Sequence, residues 1–193
     1  NGKLDVKPLI THRLSIENIE RAASEIDAVF TNTPQFNCEP LSKELGAQLT
    51  LKVETLNPIR SFKGRGADFF MSETKSTLQD QQLVCATAGN FGQAMAYACR
   101  KRSRQLIIYS ATNANPLKIE RMRSMGAEVR QEGDNFDGSK ESARAFCASS
   151  GAHFVEDGRD IAISEGAGSI AVEMMKQRTF DTVLVPLGNG ALI

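Results

Sequence analysis

From Leu83 onward the chain repeats one pattern: a short apolar run, a turn marked by glycine or Asn-Pro, then a stretch with helical spacing. Leu83-Val84-Cys85-Ala86 predicts a strand and residues 92–102 a helix. Residues 106–109 predict a strand, and Asn115-Pro116 opens a helix by a cap and a first-turn proline, with Gly126 closing it. Strands at 128–130, 153–155 and 183–185 and helices at 139–149 and 165–177 continue the series. Strands that alternate with helices form βαβ units, because parallel strands need a long crossover. The predicted fold class is therefore α/β, with open parallel sheets and helices on both faces.

Before Leu83 the pattern differs. Ser15 caps a predicted helix running to about residue 30, with Ile16, Ile19, Ala23, Ile26 and Phe30 at helical spacing. A short helix at 40–45 stops at Gly46, and residues 49–53 read as a strand. The turn Asn57-Pro58 then leads into a helix with Lys63 in its first turn.

Composition narrows the function. The 193 residues carry 23 basic and 23 acidic side chains, so net charge gives no reason to expect nucleic acid or an anionic membrane surface as partner. The basic run Arg100-Lys101-Arg102-Ser103-Arg104 is expected as the solvated end of a helix. Cys38, Cys85, Cys99 and Cys147 have no metal or redox spacing. The last three lie among apolar or small residues and are expected as buried reduced thiols, which favours a cytoplasmic location. Two histidines, His12 and His153, are too few and too separated for a metal site. No apolar stretch approaches the ~20 residues of a membrane span, and the polar start, Asn1-Gly2-Lys3-Leu4-Asp5, does not read as a secretory signal.

Three segments carry chemistry. In Ser61-Phe62-Lys63-Gly64-Arg65-Gly66-Ala67 one lysine sits among small residues that let a flat ring approach the backbone. An amine there can form a Schiff base with an aldehyde; it also suits a surface lysine at a helix start. Thr87-Ala88-Gly89-Asn90-Phe91-Gly92-Gln93 joins a strand to a helix at the C-terminal edge of a sheet, where open α/β folds bind ligands. Backbone N–H groups there suit a carboxylate and Asn90 suits a ring oxygen, although an ordinary βα turn would read the same way. Pro186-Leu187-Gly188-Asn189-Gly190-Ala191-Leu192 is a plausible phosphate nest. Together the three propose a site for pyridoxal 5'-phosphate (PLP).

Taken in order, these segments resemble the lysine motif, the Ser-Ser-Gly-Asn-His-type loop and the glycine-rich phosphate loop of the fold-type II PLP enzymes, in the serine/threonine dehydratase group (tryptophan synthase β-like family). Thr33-Pro34, residues 115–129 and Glu165-Gly166-Ala167-Gly168-Ser169-Ile170-Ala171 fit the same order. The resemblance implies a two-domain architecture. Residues 1–78 and 158–193 would form an incomplete large PLP-binding domain, and residues 79–157 a small βαβ domain. It implies that Lys63 holds PLP and acts as base at Cα, with Phe62 beside the ring and Asn90 on the ring oxygen. Gly188, Asn189, Gly190, Ala191 and Leu192 would hold the phosphate. Ser61, Thr87, Ala88, Gly89 and Phe91 would face an amino-acid substrate. The implied reaction converts a hydroxyamino acid such as L-threonine or L-serine to a 2-oxo acid and ammonia, in an enzyme that is a homodimer in its full-length form.

Four departures qualify that expectation. Ala88 replaces a family serine and cannot transfer a proton, which favours elimination over racemisation. Phe91 replaces a histidine and makes the substrate side more apolar. Asn189 and Ala191 replace phosphate-loop glycines, and alanine tolerates positive φ poorly. The family's pyridine-nitrogen partner lies beyond this loop, so the sequence looks truncated at its C-terminus. The alternatives are β-replacement of the cysteine synthase type, or a catalytically silent fragment or regulatory binding protein.

Overall fold

The structure, a computed structural model, describes residues 13–87 and 89–192. Its centre is a four-stranded parallel sheet made of β3 (Leu83–Ala86), β4 (Leu106–Ser110), β5 (Glu128–Gln131) and β6 (His153–Val155), in the order β5-β4-β3-β6. A separate antiparallel pair, β1 (Gln35–Asn37) and β2 (Thr50–Lys52), lies in the N-terminal part. The helices are α1 (Ile16–Glu25), α2 (Glu39–Leu45), α3 (Lys63–Glu73), α4 (Asn90–Lys101), α5 (Pro116–Ser124), α6 (Phe136–Ser150) and α7 (Ile161–Gln177).

Side-chain alternation explains why both sheet faces are covered. Every residue of β3 and β4 is buried. Leu83, Cys85, Leu106 and Ile108 point to one face and meet Met95 of α4 and Met122 of α5. Val84, Ala86, Ile107 and Tyr109 point to the other and meet Ala143 and Phe146 of α6. Successive side chains of a strand face opposite ways, so a near-continuous apolar run needs a helix on each side. The first cluster continues through Phe70 and Met71 of α3 to Ile59 and Phe30.

Helix α3 is buried nearly all round because α7, α1 and α4 enclose it. Its approach to α7 depends on two glycines. A Cβ on Gly166 would lie 2.7 Å from both the Arg65 carbonyl oxygen and the Gly66 Cα, and one on Gly66 would overlap the Ile163 carbonyl.

Several expectations need correction. The first helix ends at Glu25, where Ile26 turns extended, and a separate 3-10 turn covers Ala28–Phe30. Strand β1 was not expected; its three residues are half-buried or exposed and lack an apolar signature. Residues 183–185 form no strand. No described backbone pairs with them, and Leu184 is 84% exposed. The basic run is only partly solvated: Arg102 bonds the buried Asp68 at 2.6 Å, and Arg104 donates to the Leu78 and Gln81 carbonyls. Cys85 and Cys99 are buried, but Cys147 is only half-buried, as is Cys38. Among the described residues no helix is long and apolar enough to cross a membrane, and no cluster of metal-ligating side chains occurs.

Candidate active site

The loop that presents Lys63 is organised by one side chain. Asn57 Oδ1 accepts from the Ile59 and Ser61 N–H groups, at 3.1 and 3.3 Å, while its Nδ2 donates to the Glu54 and Ser61 carbonyls. This Asx-type closure holds Arg60 at φ 56°, a left-handed conformation that costs a side-chain-bearing residue ~1 kcal/mol. Ser61, itself buried, then accepts from the Lys63 N–H at 3.3 Å and starts α3. The lysine is thereby fixed at the first helical position, beside the Phe62 ring, 4.8 Å from its amine.

The Lys63 side chain is 14% exposed, so it is not a free surface group. Its Nζ lies 2.7 Å from Asp157 Oδ2 and 3.0 Å from Oδ1, and 3.3 Å from Asn189 Oδ1. The same Asn189 oxygen accepts from the Ala191 N–H at 3.3 Å. The lysine motif and the glycine-rich loop, 126 residues apart in sequence, therefore meet.

Strand register places this meeting at the sheet edge. Cys85 of β3 pairs with Val155 of β6, so Thr87 and Asp157 each stand two residues past paired positions on adjacent parallel strands. Both turns leave the C-terminal edge side by side, where an open α/β sheet receives ligands. Asp157 was missed by sequence reading. The available signal was an acidic residue two positions past a strand end at this edge.

The Gly89 turn is held from within. Thr87 Oγ1 accepts from the Gly89 N–H at 3.0 Å and the Gly92 N–H at 3.4 Å, so the Gly89 donor, expected to serve a carboxylate, is used internally. Asn90 is exposed at the start of α4, and among the described residues no hydrogen bond joins it to Lys63. Phe91 is 4% exposed within the core, which makes it a packing residue of α4 rather than an open substrate wall. Ala88 lies outside the described residues. The Lys118 amine lies over Gly89, 2.8 Å from where a Cβ would stand. Gly188, Asn189 and Gly190 are exposed, Gly190 has φ 85°, Ala191 is buried and Leu192 is half-buried.

Behind the lysine lies a charge network that sequence reading also missed. Arg65 is fully buried and bonds Glu54 through Nε and Nη2, Glu173 through Nη1 and Nη2, and Ser169 through Nη1. Lys52 adds a second cation 2.6 Å from Glu173. Burial disfavours a charged Glu173, but hydrogen bonds from Arg65, Lys52 and the Asn32 N–H outweigh it and lower its pKa to about 2. Two cations and two carboxylates balance, and they tie α3, α7 and the residues around β2 into one support for Lys63. The arrangement fits PLP: a shielded amine on a rigid helix faces a glycine-rich loop with backbone donors.

Known proteins resemble this chain in sequence and in fold. The biosynthetic L-threonine dehydratase of Lactococcus lactis is 31% identical over 188 residues, 93% of this chain and 45% of that protein. That of Corynebacterium glutamicum is 34% identical over 186 residues, 91% of this chain and 42% of that protein. The chain thus spans less than half the length of these relatives. Among solved structures, a pyridoxal 5'-phosphate-dependent aspartate racemase superposes with a TM-score of 0.79 at 26% identity, covering 86% of this chain and 52% of its own. The processed form of threonine deaminase isoform 2 from Solanum lycopersicum gives 0.74 at 26% identity, with 84% and 46% covered. A family model described as pyridoxal-phosphate dependent enzyme matches residues 26–193, and with most of its length inside that match the chain belongs to this family.

Proposed function

We propose that this chain is the cofactor-holding part of a PLP-dependent lyase that removes water and ammonia from a hydroxyamino acid such as L-threonine or L-serine. The observation that carries the reading is the convergence of Lys63 with the glycine-rich loop, through Asn189, at the C-terminal edge of β3 and β6. The threonine dehydratase relatives support the substrate class.

When bound, PLP supplies the electron sink that makes a Cα proton removable. The protein's part is positioning and proton transfer. Lys63 would hold the cofactor through its amine and would serve as the base at Cα. Asp157, at 2.7 Å, would orient the Lys63 amine. Phe62 would flank the ring and Asn90 would address its oxygen. Backbone N–H groups of residues 188–192 would hold the phosphate. Ser61 would face the substrate carboxylate, and the Thr87–Gly89 turn would do so once the Gly89 N–H leaves Thr87 Oγ1. The Arg65 network would hold α3, and with it Lys63, against α7.

In this reading residues 1–78 and 158–193 belong to a large PLP-binding domain and residues 79–157 to a small one. The full-length enzyme would be a cytoplasmic homodimer acting on small amino acids, with neither nucleic acid nor membrane as partner.

The test is a titration of the purified chain with PLP. A visible absorption band and a borohydride-trapped adduct at Lys63 are expected, and Lys63→Ala should abolish both. A chain that gives neither overturns the reading. In a loaded protein, 2-oxo acid formed without an added nucleophile separates elimination from β-replacement.

A further inference from the structure

The glycine-rich loop already has an acceptor of its own. Asn189 Oδ1 receives the Ala191 N–H and the Lys63 amine, both at 3.3 Å. These are one of the backbone donors and the one amine that a phosphorylated aldehyde would need. The flanking loop is otherwise open, because a Cβ on Gly188 or Gly190 would meet nothing within 4 Å. Asn189 itself is braced from the far side. A Cβ on Gly158 would come within 2.9 Å of the Asn189 carbonyl oxygen and 3.4 Å of its amide carbon, so the turn after β6 backs the residue. Gly158 sits at φ 79°, a conformation that suits glycine and lets the two loops approach.

The side-chain amide thus imitates one oxygen of an anion. A phosphate oxygen is the stronger acceptor because it is charged, yet it must first displace the amide. The net value of the displaced contact is set against binding.

We infer that Asn189 is an internal competitor for the phosphate group and sets the chain's affinity for phosphorylated over unphosphorylated pyridoxal. The inference rests on the cofactor reading above and concerns how tightly, not whether, the cofactor is held. Exchange of the two acceptors moves no electrons: the Ala191 N–H passes from the amide oxygen to a phosphate oxygen.

The variant is Asn189→Ala, which removes the amide without adding the backbone freedom of glycine. Asn189 is exposed and its φ is not positive, so the variant should fold, which circular dichroism checks. Wild type and variant are each titrated with PLP and with pyridoxal, and dissociation constants are read from the visible band. Release of Lys63 affects both aldehydes alike, whereas release of the Ala191 N–H affects only the phosphorylated one. The ratio of PLP to pyridoxal affinity should rise about fivefold in the variant, the worth of one net hydrogen bond. A ratio that is unchanged or falls overturns the inference and leaves the cofactor reading standing. The absence of any band with PLP in both proteins overturns both together.

Discussion

Arg65 grips the Glu173 carboxylate through two bonds, Nη1 to Oε1 at 2.8 Å and Nη2 to Oε2 at 3.0 Å. The pair joins α3, which carries Lys63, to the C-terminal half of α7. Removing the arginine would strand Glu54 and Glu173 with only Lys52 between them. Arg65→Met should therefore cost about 3–5 kcal/mol of unfolding free energy, as for other buried pairs broken on one side. Urea denaturation measures it. The double variant Arg65→Met with Glu173→Gln should lose less than the sum of the single losses, because the stranded charge goes too. Additive losses would show that the two residues do not act as a pair.

The same carboxylate predicts an acid limb. Its pKa is held at about 2 against an ordinary 4.5. The folded value is the lower one, so the stabilisation is fully present above the ordinary value and is lost as pH falls through the folded one. Unfolding free energy should decline between pH 4.5 and about 2. Other depressed carboxylates, Asp27, Glu73 and Glu156, contribute to the same decline. The informative quantity is thus the difference between wild type and Glu173→Gln, which should shrink as pH falls across that window. A constant difference would sink the assignment.

Close approach of α3 to α7 gives a packing prediction. A Cβ at Gly66 or Gly166 meets backbone, which cannot swing aside as a side chain can. Gly66→Ala and Gly166→Ala should each destabilise by about 3 kcal/mol, the upper part of the usual overpacking range, and lower the thermal midpoint. Gly188→Ala is the control, since nothing lies within 4 Å of its Cβ, and it should leave the midpoint unchanged. Equal effects at all three sites would mean that loss of glycine itself, not helix contact, sets the stability.

Much of this molecule was legible because its signals are local. The runs of β3 and β4 and the Asn115-Pro116 and Gly46 punctuation set elements within a few residues of where they stand. The candidate lysine stands out for the same reason: small residues cluster around it. What escaped depends on distance along the chain. Glu173 is 108 residues from Arg65, and each alone reads as a surface charge. Asp157 becomes visible only when the register of β6 on β3 sets it beside Lys63. Phe91 looked like a substrate residue because helix orientation, not motif position, decides which way a ring faces. The expected strand at 183–185 shows the reverse error: an apolar run supplies propensity, but a strand also needs a neighbour to bond.

The thiols offer a probe of where the structure opens. Burial raises Cys85 strongly and pushes Cys99 up to about 12; Cys147 is raised less deeply inside. Since the thiolate is the reactive form, iodoacetamide should label Cys38 and Cys147 in the folded protein and leave Cys85 and Cys99 until it unfolds. Mass spectrometry of timed samples reads each site. Cys85 sits on β3 and Cys99 on α4, in the core that also packs against α3. Arg65→Met should thus hasten labelling of both by weakening that support, while labelling at half-buried Cys147, on the outer helix α6, stays nearly unchanged. If Cys85 in the folded protein reacts as fast as Cys147, or if the variant hastens all sites equally, the core is not organised around α3 as described.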